Sequence, residues 1–215
     1  MKVLVFDTET TGLPLFRVSP NESNFKDWPY IVQLSYIIYD TTENKIVTTY
    51  NAIIKLPEDV TISEETSNIH GITNGISQKS GFDIKDVLKV FKTAMETCDL
   101  IVAHNMDFDV DMVLTASLRS KVSVDDLLTK EKYCTMANSK DICNIKAKSK
   151  SGGTFTKFPS LKETHSKLFD KEPKNLHNAF NDVIVCLRCY YFLEHHKDLC
   201  KVNSNFNALY KKNCL

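Results

Sequence analysis

The chain opens on a short, nearly continuous apolar run, Lys2 to Phe6 (KVLVF), which ends abruptly in two acids, Asp7 and Glu9. A run of that length without polar alternation predicts a strand covered on both faces. Residues two apart on a strand project to one face, so the two carboxylates leave the sheet together. Charge at the end of a buried strand is costly when unpaired, and like charges side by side raise each other's pKa. A cation between them is the economical solution. Oxygen-only donors, with no Cys or His among them, select a hard divalent ion, magnesium or manganese. The competing reading is an acidic strand terminus exposed to water, and Asp-x-Glu alone does not separate the two.

The rest of the chain sets this strand in a larger pattern. Thr11-Gly12-Leu13-Pro14 closes it, and a polar stretch follows through Leu15 to Trp28. Ile31 to Tyr39 and Ile46 to Ile54 are rich in β-branched and aromatic residues, with turn formers between them, and predict an antiparallel hairpin. Ile84, Val87, Leu88, Phe91 and Met95 then fall at helical spacing. Leu100 to Ala103 predicts a second buried strand, and Val110, Val113, Leu114 and Leu118 a helix directly after it. Val183, Cys186, Leu187, Tyr190 and Tyr191 define a last helix reaching Glu194. Strands first, then strand–helix alternation, predict an α/β fold with a mixed sheet flanked by helices. The expected domain runs from 1 to 195, and 196–215 is set apart as a tail, either frayed or a docking segment for a polymerase or other protein.

Composition narrows the classes. A chain of 215 residues can bury a core without disulfide staples, and its seven cysteines, an odd number, are expected to be reduced thiols. Cys186 and Cys189 with His195, His196 and Cys200 hint at zinc, but Cys186 lies on an apolar helical stripe and there is no second Cys-x-x-Cys. No apolar run reaches membrane-spanning length, and acids come too early for a signal peptide, so a soluble intracellular protein is expected, with nuclear import left open. The 27 basic and 27 acidic residues cancel, so any attraction to nucleic acid must be local. The best local candidate is Lys146 to Lys157 (KAKSKSGGTFTK), with four lysines and no acid. It reads either as a flexible loop that touches phosphates or as a solvated surface loop.

Two further polar clusters sit at element junctions. His104-Asn105-Met106-Asp107-Phe108-Asp109-Val110-Asp111 follows the second buried strand and opens a helix. Acids in a first turn complement the helix dipole, and spacing does not choose among Asp107, Asp109 and Asp111. His177-Asn178-Ala179-Phe180-Asn181-Asp182 opens the last long helix, with Asn178 placed to cap it. A histidine in the loop ahead of a helix can accept or donate a proton near neutral pH.

Together, Asp7-Thr8-Glu9-Thr10-Thr11-Gly12, His104-Asn105-x-x-Phe108-Asp109 and His177-x-x-x-x-Asp182 resemble, in order, the three motifs of the DnaQ-like (DEDDh) 3′-5′ exonuclease superfamily. Ile69-His70-Gly71-Ile72-Thr73 resembles that family's short loop between the third strand and the following helices. The resemblance runs from about Lys2 to Glu194. It implies an RNase H-like fold and a metal-dependent 3′-to-5′ exonuclease releasing nucleoside 5′-monophosphates. It implies Asp7, Glu9, Asp109 and Asp182 as carboxylates for two Mg2+ ions, which Mn2+ can replace, and His177 as general base. It also implies Thr8, Thr10, Leu13, His70 and Asn105 as substrate contacts. The implied partner is nucleic acid with a free 3′ end, single-stranded or frayed, and no membrane. DNA is slightly favoured; an RNA-trimming exonuclease, or a non-catalytic or polymerase-associated binding module, is the alternative. The stretch from Leu15 to Trp28 and the lysine-rich segment depart from the family pattern.

Overall fold

Alternation ends where burial on both faces begins, and β1 (Lys2–Thr10) is the middle strand of such a sheet. The computed structural model describes residues 1–15 and 18–215; Phe16 and Arg17, within the unaligned stretch that starts at Leu15, lie outside the described residues. After β1 come β2 (Ile31–Asp40), β3 (Lys45–Ile53), α1 (Glu64–His70), α2 (Asn74–Ser80), α3 (Ile84–Glu96), β4 (Leu100–Ala103) and α4 (Met106–Ser120). Then follow α5 (Asp126–Thr129), β5 (Glu131–Cys134), α6 (Thr135–Cys143), β6 (Lys146–Lys148), β7 (Thr154–Thr156), α7 (Leu161–Phe169), α8 (Ala179–His195), α9 (Leu199–Val202) and α10 (Ser204–Cys214).

The main sheet has the order β3-β2-β1-β4-β5, antiparallel on the β2 side of β1 and parallel on the β4 side. The period of two along β1 divides its side chains between two cores. Leu4 and Phe6 pack beneath α3 and α4 with Phe91, Met95 and Val113. Val3 and Val5 pack on the opposite face with Val183, Leu187 and Tyr190 of α8. The mixed α/β sheet, its hairpin, and the helices flanking β4 are as the sequence predicts.

Other segments are not as expected. Ile69 and His70 do not lie in a loop but end α1, which Ser63 caps and Gly71 terminates at φ 76° in the left-handed region that glycine occupies most easily. The lysine-rich segment is a small antiparallel hairpin, β6–β7, with Lys146 opposite Thr156 and Lys148 opposite Thr154.

Residues 196–215 are not frayed: α9 and α10 pack on the α8-side core. Phe206, Tyr210 and Cys214 of α10 are buried in the α8-side core. A polar knot fixes them there. The Arg188 guanidinium grips Asp198 through two bonds, Nε to Oδ1 at 2.9 Å and Nη2 to Oδ2 at 2.8 Å. Its Nη1 and the Tyr210 hydroxyl both donate to His165 Nε2, at 3.0 and 2.9 Å. His165 Nδ1–H in turn donates to the Lys171 carbonyl at 2.8 Å. Burial pushes the imidazole down to about 4, which keeps Nε2 free to accept. Cys186 and Cys189 are buried core residues of α8. No helix among the described residues is long and apolar enough to cross a membrane.

Candidate active site

Asp7 and Glu9 continue the α8-facing side of β1 beyond Val5, where the apolar core gives way. There α8 begins, and its first turn delivers Asp182. One ligand oxygen from each of Asp7, Glu9 and Asp182 lies within 4.8 Å of the others. Two contacts fix the start of α8. The Asn178 side chain accepts from the Phe180 N–H, and Gln33 Oε1 accepts from the Ala179 N–H at 3.1 Å. Gln33 stands opposite Glu9 in the β1–β2 ladder, so one cross-strand pair holds both an acid and the helix that brings the third acid. The His177 N–H donates to Asp182 Oδ2 at 3.4 Å, while Asp182 Oδ1 is buried without a partner.

Asp109 reaches the same place from the other face of the sheet. β4 pairs with β1 only over Val3 to Val5 and ends at Ala103, while β1 continues to Thr10. Asn105 turns the chain at φ 71°, and α4 starts at once, with Asp109 in its first turn. The Asp109 carboxylate takes the Thr8 N–H at 2.9 Å and the Thr8 hydroxyl at 2.8 Å. A side chain thus satisfies a strand amide that β4 is too short to reach. Of the three acids in this segment, Asp109 is the one turned inward; it is 2% exposed, whereas Asp107 is exposed and Asp111 partly so.

Packing four acids here has an electrostatic cost. Burial, then the charges of Asp109, Asp182 and Glu9, hold Asp7 well above the ordinary carboxylate range. Burial pushes Glu9 up to about 7 and Asp182 to about 8, the latter helped by the Glu9 charge. Asp109 rises to about 7 through burial, against the pull of its two Thr8 bonds. A divalent cation fits this site: the donors are hard carboxylate oxygens, the Asp182 Oδ1 atom lacks a partner, and a cation would relieve every one of these shifts.

The other expected residues divide. His177 is exposed at the rim of the cluster, on left-handed backbone at φ 66°, with its imidazole free of the bonds that tie up His104 and His165. Leu13 is 81% exposed and Asn105 is exposed, so both can meet a ligand. Thr8 and Thr10 are buried; Thr8 serves Asp109, and the Thr10 hydroxyl donates to the Gly12 carbonyl at 2.6 Å. His70 is buried beneath this loop, its Nδ1 accepting from the Ile72 N–H at 3.0 Å, which places its proton on Nε2. Sequence reasoning missed Gln33 and the role of Thr8 in holding Asp109; a polar residue inside the apolar run IVQLSYIIY was the signal for the first. His104, inside the second motif, is structural: Nε2 meets the Pro159 carbonyl at 3.1 Å and Nδ1 the Thr135 hydroxyl at 2.9 Å. A cavity of about 680 Å³ between Tyr30, Ile84, Met112 and Arg119 contains none of the four carboxylates. Of the cations that line it, Arg119 is occupied, since it donates to the Pro29 and Phe25 carbonyls and lies over the Tyr30 ring.

Comparison with known proteins matches the fold to solved structures. E. coli Exonuclease I in complex with a dA16 oligonucleotide superposes with a TM-score of 0.65 at 15% identity, covering 91% of this chain and 41% of that one. The complex of the same protein with a dT13 oligonucleotide gives 0.66 at 14%, covering 95% and 43%. Exonuclease I from Methylocaldum szegediense gives 0.64 at 15%, covering 95% and 43%. The chain therefore spans less than half the length of these proteins, and at such identity the likeness is one of fold. No curated protein matches the sequence. The exonuclease model of the RNase T family matches residues 4–190, which takes in all four carboxylates and His177, and the chain belongs to that family.

Proposed function

We propose that the chain is a 3′-to-5′ exonuclease that releases nucleoside 5′-monophosphates one at a time, with DNA favoured over RNA. Membership of an exonuclease family implies a nuclease that depends on a divalent metal. The observation that carries the finer reading is the convergence of Asp7, Glu9 and Asp182 on one point, with Asp109 beside them and a free histidine five residues before Asp182. The lean toward DNA draws on the oligodeoxynucleotides bound by the E. coli protein of similar fold.

In this reading Asp7, Glu9 and Asp182 hold Mg2+ or Mn2+ directly, two ions in all, with Asp109 completing the site. The bound ions polarise the scissile phosphate and ease deprotonation of the attacking water. Asp109 keeps its orientation through the two Thr8 bonds, and Asp182 keeps its position through the Gln33 and Asn178 contacts at the start of α8. His177 accepts the proton of the attacking water at its imidazole and passes it to solvent, to which its side chain is open. Leu13 and Asn105, both exposed, contact the terminal nucleotide.

The test is digestion of 3′- and 5′-labelled single strands of DNA and RNA with magnesium, manganese or chelator. Expected is metal-dependent shortening from the 3′ end, lost in Asp7→Asn. Shortening from the 5′ end, or cleavage that survives in Asp7→Asn, would overturn the reading.

A further inference from the structure

His177 stands near the end of the loop that joins α7 to α8, and the backbone of that loop has to be held in place. Asn175 and His177 both lie in the left-handed region, at φ 55° and 66°, which side chains other than glycine enter at a cost. Two such residues within three positions keep that conformation when their surroundings impose it. His177 does not impose it. Its side chain is exposed, and its N–H reaches Asp182 Oδ2 at 3.4 Å, beyond the length of a firm bond.

The firmer bonds come from α10 and from the first turn of α8. A helix leaves its last four carbonyls without partners of its own. Two of those on α10 are taken by the loop: the Lys174 N–H donates to the Cys214 carbonyl at 3.0 Å, and Asn175 Nδ2 to the Asn213 carbonyl at 3.0 Å. From the other side, Asn181 Nδ2 donates to the Asn175 carbonyl at 2.8 Å. Asn175 therefore gives its amide to α10 and its carbonyl to α8, two residues ahead of His177. One residue beyond His177, the Asn178 side chain caps α8. Leu176, between Asn175 and His177, packs against the α8-side core, in which Phe206, Tyr210 and Cys214 seat α10. None of the three bonds involves a carboxylate of the cluster.

We propose that Asn175 is a positioning residue for His177, and that α10, which lies beyond the residues 4–190 matched by the family model, is the support it works through. With the backbone tied on both sides, the imidazole has its own side-chain torsions left with which to meet the attacking water. A misplacement of about 1 Å can cost about 100-fold in rate, so a base on an exposed loop gains from such a tie. The inference rests on the reading of His177 as general base.

The experiment uses the full chain, a 5′-labelled oligothymidylate and saturating magnesium. Asn175→Gly keeps the left-handed backbone and removes the amide that holds Asn213. Asn181→Ala releases the Asn175 carbonyl without adding a glycine. Each should lower kcat about tenfold, with KM and the magnesium concentration for half-maximal rate unchanged. In a His177→Asn background neither should slow cleavage further, because the group they position is gone. Amide exchange across residues 174–178, followed in chelator, should be faster in both variants, and a cooperative melting transition shows that each is folded. Unchanged kcat, unchanged exchange, a fall that persists in the His177→Asn background, or a raised magnesium requirement would each overturn the inference. A wild type that digests nothing would sink the nuclease reading and this inference with it. A wild type that digests, with both variants matching it, would sink this inference alone.

Discussion

Removing one charge of the carboxylate cluster should make the metal-free protein more stable, and Glu9→Gln is the cleanest case. Burial lifts the Glu9 pKa from 4.5 to about 7, so the folded state holds its proton over a range where the unfolded chain has released it. The sign follows. Below pH 4.5 both states are protonated and the site costs nothing; as pH rises toward 7 the unfolded state gains, and above 7 the full penalty is present. A shift of about 2.5 pKa units corresponds to about 3 kcal/mol. For a chain of this size that is about 6–12 °C in melting temperature. Glutamine keeps the shape and carries no charge, and it also removes the Glu9 charge that raises Asp182 and Asp109. The assay is thermal unfolding of wild type and Glu9→Gln in chelator at pH 5 and pH 8, then with millimolar Mn2+. Expected are near-equal melting points at pH 5, a higher one for the variant at pH 8, and a metal-induced rise that is large in wild type and small in the variant. A variant no more stable than wild type at pH 8 without metal would refute the reasoning, because the cluster would then store no electrostatic strain.

Other substitutions test how the site is held. Thr8→Val removes the hydroxyl bond to Asp109 and keeps the amide bond, so metal affinity read from the activity titration should fall about tenfold, as for other groups that orient metal ligands. His177→Asn should leave the melting temperature unchanged, since the position is exposed and Asn tolerates left-handed backbone, while the cleavage rate falls at least about 100-fold. Arg188→Leu leaves Asp198 as an uncompensated charge, only 12% exposed, and should cost about 3–5 kcal/mol in chemical denaturation, far from the active site.

The parts of this architecture that were legible in the sequence are those whose signal is local. KVLVF and LIVA announce strands because burial on both faces leaves no polar residue among the apolar ones, IVQLSYIIY does so by its β-branched and aromatic content, and the helices flanking β4 keep their periodicity. β5 was missed because Glu131 and Lys132 give an edge strand a polar surface, and α1 and α2 because seven-residue helices are too short to display a period. That the tail packs was not legible for a related reason: the groups that hold it, Arg188, Asp198, His165 and Tyr210, are polar, and only their mutual bonds make them core. At the carboxylate cluster the sequence motifs supplied the acids but not their scaffold.

That scaffold explains why one short strand governs the site. If β4 were three residues longer, its ladder would pair the β1 edge through Thr8, and the Thr8 N–H would no longer need Asp109. Ending β4 at Ala103 leaves that amide open and starts α4 at once, so the helix arrives with its first-turn carboxylate at the unpaired amide. The third and fourth acids thus come from opposite faces of the sheet, Asp182 over Glu9 and Asp109 around the edge at Thr8. Neither position is readable from residue spacing within its own segment, which is why Asp107, Asp109 and Asp111 are equivalent in sequence and distinct in the fold.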